Sequence, residues 1–508
     1  MVIGIKVMLK KIDPSKQFCI PIGLYIDASE TVVYQRYSFQ PLIMFPLILT
    51  SKARNYPKSS RVIALIPDLE ANSSAVKKQN KMGDRYNRGL SMRNYHMCLS
   101  VALESLKRVQ RNGGFVTHLR LGNDVRKRMI TVPVAFILGD AKSQDTLTCR
   151  YGPHNTDRMC RACHVSFNKA DDTVHQCRWV LHDEFTPTLD LLLDKELPYI
   201  PIIANNAMKK AQKKIEKDAY NVLKLNSQHA CRNAFQDIDF ADFPRGIFGS
   251  TPHDMMHCFL EGILKYTTRI FMDTFTDSEK AAIDKFVDYI FHNFCSSENK
   301  NMLRKNFNKG MTNMTMITAD EEIGMALVLL IIGTMPNGYN ILKNRNDNFE
   351  KDDEIDDATI LEKELIEKNK VINLDIDSDN ESNEKNEEDD AMSQNTAEIV
   401  ENASNGKCNY KNFIHLIEIF LSFHAWYKSN MAFEWNINKE EEMRQSIIVM
   451  LNRLKKTFPR EEGNGWKLQK FHELLHLPMD VTNFGSPKNF DTGIMENRLI
   501  HVGKKMQS

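Results

Sequence analysis

Apolar runs separated by short polar or proline-containing turns fill the first part of the chain. The runs in 18–69 are rich in β-branched residues and predict strands, for example CIPIGLYI, PLIMFPLIL and RVIALIP. Apolar residues then recur at helical spacing over 92–109, which predicts a helix. The near-continuous run MITVPVAFIL follows, as expected for a strand covered on both faces. Strands, a helix and a buried strand in this order predict a mixed α/β layer.

Helical patterns dominate the rest of the chain. Helices are predicted over 204–225, 257–275, 278–294, 319–332, 413–427 and 439–457. Residues 346–405 interrupt them with a segment rich in Asp, Glu, Asn and Ser that contains almost no aromatic residues. Such a composition cannot bury enough apolar surface to fold, so this segment is predicted to be a disordered linker.

Charge is distributed unevenly along the chain. The 508 residues include 67 Lys+Arg and 66 Asp+Glu, a formal charge of +1. Residues 346–405 hold 21 of these acids and 5 of the bases, which leaves 62 bases and 45 acids, a charge of +17, on the remainder. The basic remainder suits a polyanionic partner. The acidic segment is either a spacer or a competitor for the basic surface.

No secretory signal and no membrane helix are predicted. The N-terminal apolar stretch is too short for a signal and is not followed by a small-residue cleavage site. The longest apolar run, 325–332, is far below the roughly 20 residues that a membrane helix needs. Ten cysteines in a chain of this length do not make a disulfide scaffold. We therefore expect a soluble intracellular protein.

Two aspartates stand where predicted strands end. Asp27 ends the run 20–26 and Asp140 follows the run 132–138. A carboxylate there is costly unless it is paired or binds a cation, and Mg²⁺ or Mn²⁺ takes such oxygen ligands. Two-metal sites of this kind carry out phosphodiester chemistry. The alternative is that each aspartate only starts a turn through local hydrogen bonds.

A third carboxylate could come from the helix that begins near Thr318. Thr318 and Glu321 have the spacing of a capping box, in which the glutamate has a purely structural role. Glu322 lies about 100° further around the helix and would face elsewhere. The spacing does not decide between capping and catalysis for Glu321.

The most specific local chemistry is a cluster of four cysteines: Cys149, Cys160, Cys163 and Cys177. A Cys-x-x-Cys turn places two thiolates on one side, and two further ligands complete a tetrahedral Zn²⁺ site. His154, His164 and His175 compete with the first and last cysteines for those two positions. A full ligand set predicts a structural zinc site, and the alternative is ordinary reduced cysteines.

A Pro-His-Asp sequence opens the helix predicted over 257–275. His253 and His257 are four residues apart and share a face with Glu261, while Asp254 lies beside them. This spacing is typical of a helical metal site, but HDMMH lacks the glutamate of zinc proteases. The structural alternative is an acidic residue stabilised by the helix N-terminus, or one that helps to position a phosphate.

These segments together resemble one family. The chain is similar to CACTA/Plavaka-type transposases of the CMC group through LYIDASET, VAFILGDAKSQD, CRYGPHNTDRMCRACHVSF, STPHDMMHCFLEGILKY, TADEEIGMALVLL and EGNGWKLQKFHELLH, in this order. The family consists of cut-and-paste DNA transposases with an RNase H-like DDE core and a cysteine-rich zinc insertion. The predicted core begins almost at once and the chain stops soon after Gly503, which favours a shortened or decayed copy.

The resemblance implies that Asp27, Asp140 and Glu321 are the catalytic acids, with Asp145 and Asp254 as alternative carboxylates. It implies Mg²⁺-dependent attack on a phosphodiester, double-stranded DNA at the element ends as the partner and a nuclear location, and it is compatible with a homo-oligomer. The fold class is thus an α/β, RNase H-like mixed-sheet core with a zinc insertion and a large helical region. The expected domains are 1–148 (first part of the core), 149–180 (zinc knuckle), 181–345 (helical completion of the core), 346–405 (acidic linker) and 406–508 (C-terminal helices).

Two other functions fit the same residues. A non-catalytic nucleic-acid-binding protein would keep the zinc knuckle and the basic surface without the chemistry. A metal-dependent nuclease of the same fold would cleave DNA without joining strands.

Overall fold

The computed structural model describes most of the chain outside the acidic segment. The described residues are 13, 15–27, 29–30, 38–54, 56–67, 81–122, 124–152, 156–175, 177–193, 206–240, 244–294, 319–335, 410–430, 437–460 and 464–493. The predicted disordered linker 346–405 lies outside them, as do His154 and Thr318.

Eight strands form two sheets in the described part of the chain. They are β1 (Gln17–Cys19), β2 (Ile22–Ile26), β3 (Ser29–Glu30), β4 (Ser38–Pro46), β5 (Arg61–Pro67), β6 (Phe115–Leu121), β7 (Asp124–Thr131) and β8 (Val134–Leu138). In the larger sheet, β4 pairs antiparallel with β2, β3 and β5, whereas β2 pairs parallel with β8. The spatial order β5-β4-β2-β8 therefore brings β8 next to a strand that precedes it by more than 100 residues.

The run MITVPVAFIL does not form one strand, contrary to the prediction. Its first part belongs to β7, which joins β1 and β6 in the smaller sheet, and its second part is β8 in the larger sheet. The break falls at Pro133, which has no amide hydrogen to donate to a strand partner. Its carbonyl still accepts a hydrogen bond from the Ile22 amide, at 3.0 Å.

Helices make up most of the remaining regular structure in the described part of the chain. They are α1 (Ser51–Arg54), α2 (Lys81–Arg111), α3 (Ala141–Leu147), α4 (Thr186–Leu193), α5 (Asn206–Leu225), a π-helix (Met256–Leu264), α6 (Lys265–Asp273), α7 (Asp277–Phe294), α8 (Ala319–Thr334), α9 (Tyr410–Asn430), α10 (Ile437–Thr457), α11 (Gln469–Leu474) and α12 (Leu477–Phe484). Each predicted helix is present with somewhat different ends. The mixed α/β class is confirmed.

Both faces of the central strands are covered. Every residue of β2 and β8 is buried, which agrees with an apolar run that does not alternate. Tyr25 and Phe136 belong to a core formed with the later helices. Leu24 and Ile137 belong to a second core, which includes Leu99 of α2. The sheet is therefore enclosed between two helical layers.

The C-terminal helices return to the centre of the molecule. The π-helix packs against α11 and α8, α9 packs against α8 and α10, and α10 packs against α12. Bulges of the π type occur frequently at functional sites, where the extra residue in the turn re-aims side chains. Here the π-helix lies between the Pro-His-Asp sequence and α11.

Candidate functional site

Asp27 and Asp140 lie at the same edge of the larger sheet, and we name this pair the carboxylate edge. Asp27 directly follows β2, and Asp140 comes two residues after β8. These strands are adjacent and parallel, with Tyr25 opposite Leu138. The structure thus brings together the two aspartates that the sequence placed at strand ends.

Ser143 connects the two carboxylates. Its amide donates to Asp140 Oδ1 at 2.6 Å, and its hydroxyl donates to Asp27 Oδ1 at 3.3 Å. Asp140 is also the N-cap of α3, so the local structural role weighed from the sequence is present. Tyr25 Oη donates to Asp27 Oδ2 at 3.0 Å. The two carboxylates are therefore held by Tyr25 on β2 and by Ser143 on α3, which contacts both of them.

Gly139 allows the two strand ends to approach each other. A Cβ added at this position would lie 2.5 Å from the Ile26 carbonyl oxygen and 3.3 Å from Ser143 Cβ. Backbone atoms cannot move aside as a flexible side chain can, so any larger residue would push β2 away from Asp140. A glycine directly before Asp140 therefore fixes the spacing of the carboxylate edge.

Glu321, the third predicted acid, is carried by a different element. It is buried at the start of α8. Among the described residues, no third Asp, Glu, His or Cys forms a group with Asp27 and Asp140 in which all ligand atoms lie within 4.8 Å of one another. The neighbouring Glu322 accepts a hydrogen bond from Thr268 at 3.3 Å, and burial raises its pKa to about 7.

The two alternative carboxylates also have local partners. Asp145 is buried in α3 and accepts a hydrogen bond from Gln469 at 3.1 Å. Asp254 accepts hydrogen bonds from His257 Nδ1 at 2.7 Å and from Thr492 at 2.6 Å. Burial opposes ionisation of Asp254, but these donors lower its pKa overall. Asp254 thus has the structural role weighed from the sequence, at the start of a helix.

A second candidate site, which we name the Cys/His centre, contains Cys160, Cys163, His472 and His476. Their ligand atoms all lie within 4.8 Å of one another, and none of the four residues is more than 2% exposed. Cys160 Sγ lies 3.2 Å from His476 Nε2, and Cys163 Sγ lies 3.2 Å from His472 Nε2. Two thiolates and two imidazoles are a donor set typical of structural zinc.

Each half of the Cys/His centre is a short local motif. The Cys-x-x-Cys turn brings both sulfurs to one side, and the Ala162 amide donates to Cys160 Sγ at 3.3 Å. His472 belongs to α11 and His476 follows it four residues later, so both imidazoles face the same side of a helical turn. The sequence FHELLH carries this spacing, but neither histidine was predicted to be a ligand. This group could hold a metal such as zinc.

Cys149 and Cys177, two of the predicted cysteine ligands, are not among the four residues of the Cys/His centre. Cys149 has different neighbours: its Sγ lies 3.1 Å from His96 Nε2 on α2 and accepts a hydrogen bond from Asn233 at 3.6 Å. Cys149 also has a left-handed backbone, with φ of 57°, and burial raises the pKa of its thiol. The structure thus does not bring Cys149 to the Cys/His centre.

Cys177 does lie beside the centre. Its Sγ is 3.9 Å from His476 Nδ1, and with Cys163 and His175 it forms a second group within 4.8 Å. A hydrogen bond from Cys163, aided by His476, lowers the pKa of Cys177 to about 4 although burial opposes this shift. A thiolate is the form of cysteine that binds metals.

A buried ion pair lies between the two ligand motifs. Arg161 stands between the two cysteines of the knuckle, and its guanidinium is paired with Glu473, which stands between the two histidines. Each side chain is 1% exposed. Burial alone would raise the pKa of Glu473, but Arg161 lowers it. The ion pair therefore joins the two motifs independently of any metal.

The same network extends to α3. Gln469 Nε2 donates to Glu473 Oε1 at 3.0 Å and to Asp145 Oδ2 at 3.1 Å. Asp145 lies one and a half turns after Asp140 in the chain, so a continuous path of contacts connects the Cys/His centre with the helix that carries the carboxylate edge.

No protein-family model matches the chain, and no curated protein matches it significantly. Over the described residues, no helix combines the length and apolar character needed to cross a membrane. The functional conclusion therefore depends on the carboxylate edge and the Cys/His centre.

Proposed function

We propose that this protein is a DDE-type DNA transposase, or a protein derived from one, with an RNase H-like core. The larger sheet supports this assignment: apart from the two-residue β3, its strands in chain order are β2, β4, β5 and β8. Asp27 thus ends the first and Asp140 follows the fourth, as the resemblance to CACTA/Plavaka-type transposases implies.

The observation that carries the proposal is the carboxylate edge. Two aspartates on adjacent parallel strands share Ser143, which keeps their carboxylates near each other. Asp140 uses Oδ1 for the helix cap, and its Oδ2 receives no hydrogen bond from the described residues. Two nearby carboxylates repel each other unless a cation lies between them, and this repulsion favours a hard divalent ion at the edge.

The reaction would proceed in two displacements. Water attacks the phosphorus, and the bond to the 3′ oxygen breaks to release a 3′ hydroxyl. That hydroxyl then attacks a phosphodiester of the target, which forms a new P–O bond and releases a second 3′ oxygen. Mg²⁺ or Mn²⁺ bound by Asp27 and Asp140 would activate the attacking oxygen and stabilise the leaving one. Glu321 enters the proposal as the third acid and is tested separately.

Double-stranded DNA is the partner that the charge distribution favours. The β6–β7 hairpin carries the exposed bases Arg120, Arg126 and Lys127. On α5, Lys214 and Lys217 are exposed as well. Exposed basic side chains on these strands and this helix can neutralise phosphates and release counterions, so binding should weaken steeply with salt. Such a role implies a nuclear location.

Cleavage of an intact duplex and strand joining on a duplex with pre-cut 3′ ends, both in Mg²⁺ or Mn²⁺, test the proposal. Asp140→Asn keeps a capping side chain but removes the charge, and we expect it to reduce cleavage and joining by about 100-fold or more. Asp27→Asn should do the same, and Glu321→Gln asks whether a third acid is needed. Asp183, whose side chain is 77% exposed, supplies the control Asp183→Asn. Full activity in both Asp27→Asn and Asp140→Asn would contradict the proposal.

The second candidate is a non-catalytic, zinc-containing nucleic-acid-binding protein. The observation that favours it concerns Asp27 and Asp140. Among the described residues, they belong to no group of three or more potential ligands whose ligand atoms all lie within 4.8 Å of one another. In this case the protein would bind DNA, but neither cleave nor join it with either ion, and Asp140→Asn would change nothing. Cleavage without joining would instead indicate the nuclease.

A further inference from the structure

The Cys/His centre and the two residues beside it, His175 and Cys177, offer more ligands than one zinc ion can use. Six donor side chains form two groups that share one sulfur: Cys160, Cys163, His472 and His476 in the first, and Cys163, His175 and Cys177 in the second. A structural Zn²⁺ takes four ligands, so the first group satisfies one ion completely. An imidazole and a thiol are then left beside it.

The spacing of these donors suits metal ligation. Bond lengths of about 2.3 Å to sulfur and about 2.0 Å to nitrogen place neighbouring ligands of a tetrahedral zinc about 3.6 Å apart. Cys160 Sγ lies 3.2 Å from His476 Nε2, and Cys163 Sγ lies 3.2 Å from His472 Nε2. Both pairs belong to the first group, and both distances are within about 0.4 Å of the tetrahedral value.

His175 provides an independent observation. Its Nε2 is buried and has no hydrogen-bond partner, although the ring lies next to His472, with centroids 6.0 Å apart. A buried polar atom without a partner costs free energy, and native structures seldom keep one without a reason. A cation at the second group would give this nitrogen a partner.

We propose that this site binds two zinc ions bridged by the Cys163 thiolate. The first ion is held by Cys160, Cys163, His472 and His476. The second is held by Cys163, His175 and Cys177, and water fills its fourth position. A shared sulfur keeps the ions within about 4.6 Å of each other. With one ligand shared and one position open, the second ion is bound more weakly and leaves first.

Metal content of the full chain, purified under reducing conditions with zinc present, tests this proposal. We expect about two zinc ions per chain, and about one in His175→Gln. His164→Gln is the matched control: His164 lies in the same insertion but bonds Glu184 at 2.9 Å, and it should keep both ions. About one ion in both the wild type and His175→Gln would overturn the proposal, as would complete loss of zinc in Cys177→Ser.

A titration of the metal-free wild type with Co²⁺ needs no variant. Two successive steps in the visible absorption and thiolate charge-transfer bands, each near one equivalent, are expected. A single step that ends at one equivalent would show that only one ion binds and would overturn the proposal.

Discussion

The carboxylate edge and the Cys/His centre are assembled in opposite ways. Asp27 and Asp140 each follow a buried strand, and the pairing of those strands brings them together. The Cys/His centre joins two motifs that lie 309 residues apart in the chain, as measured from Cys163 to His472. A residue whose place is set by its own strand can be recognised from the local sequence. A site divided between distant segments cannot, because each segment carries only half of the ligands.

Loss of a zinc ligand should have the largest effect. It tests whether the Cys/His centre contributes more to the stability of the protein than the carboxylate edge does. His472→Ala removes a ligand and leaves two thiols without a shared cation. We expect loss of the ion held by Cys160, Cys163, His472 and His476, and a loss of stability of up to the roughly 10 kcal/mol that structural zinc supplies in small domains. Thermal unfolding and metal content measure both. His164→Ala should change neither; unchanged zinc in His472→Ala would remove that residue from the ligand set.

Breaking the ion pair behind the centre should have the next largest effect. Arg161→Leu leaves the Glu473 carboxylate buried without its cation, at an expected cost of about 3–5 kcal/mol in the free energy of unfolding. The double change Arg161→Met and Glu473→Leu should recover most of this loss, because no charge then stays buried. The exposed pair Arg126–Asp124 is the control, with an expected effect below about 1 kcal/mol. If Arg161→Leu alone were as stable as the double variant, the unpaired Glu473 carboxylate would carry no cost, which would contradict this prediction.

Asp145 connects the two regions and should make stability depend on pH. Burial raises its pKa from 3.8 to about 7, although Arg150 and Arg161 oppose the shift. Between these values the folded state binds more protons than the unfolded state, so the unfolding free energy falls as pH rises from about 4 to 7. Asp145→Asn keeps an acceptor for Gln469 but removes the titration, a difference of up to about 4 kcal/mol across this window.

Chemical unfolding of both proteins at several pH values between 4 and 8 measures this difference. As pH falls, the free energy of unfolding of the wild type should rise relative to that of Asp145→Asn. If the difference between the two proteins does not change with pH, Asp145 is ionised throughout and the pKa shift is wrong.

Gly139→Ala should have the smallest effect on stability, and it tests whether the spacing of the carboxylate edge matters. The added Cβ would lie 2.5 Å from the Ile26 carbonyl, so we expect a loss of about 1–3 kcal/mol. Cleavage activity should fall further than stability, because Asp27 moves with Ile26. Gly89→Ala in α2 is the control: no atom lies within 4 Å of its added Cβ, and it should be neutral or stabilising. Full activity in Gly139→Ala would show that the edge tolerates displacement.

Much of the fold could be predicted from the sequence, since periodicity and composition are local properties. The buried character of β2 and β8 and the helices near 92–109 and 439–457 follow from the pattern of apolar residues. The division of MITVPVAFIL between two sheets did not follow, because Pro133 breaks the ladder without interrupting the apolar run. A pattern of apolar positions identifies strands, but it does not identify their partners.

The residues of the carboxylate edge were predicted more completely than those of the Cys/His centre, because only the former can be recognised from local sequence. Asp27 and Asp140 could be found because each ends a strand. The Cys-x-x-Cys turn identified Cys160 and Cys163, but proximity in sequence then favoured Cys149 over His472 and His476. The three-dimensional structure reverses that preference, because α11 returns to the knuckle while Cys149 contacts α2.

The pairing of Arg161 with Glu473 has a consequence for how the protein is made. At about 5–20 residues per second, a ribosome needs roughly 15–60 seconds to proceed from the knuckle to α11. During this interval the nascent chain exposes a guanidinium that has no carboxylate and thiols that lack half of their ligands. The Cys/His centre and the Arg161–Glu473 pair therefore cannot form until the segment 472–476 has emerged, so this part of the interior is completed long after the knuckle has been synthesised.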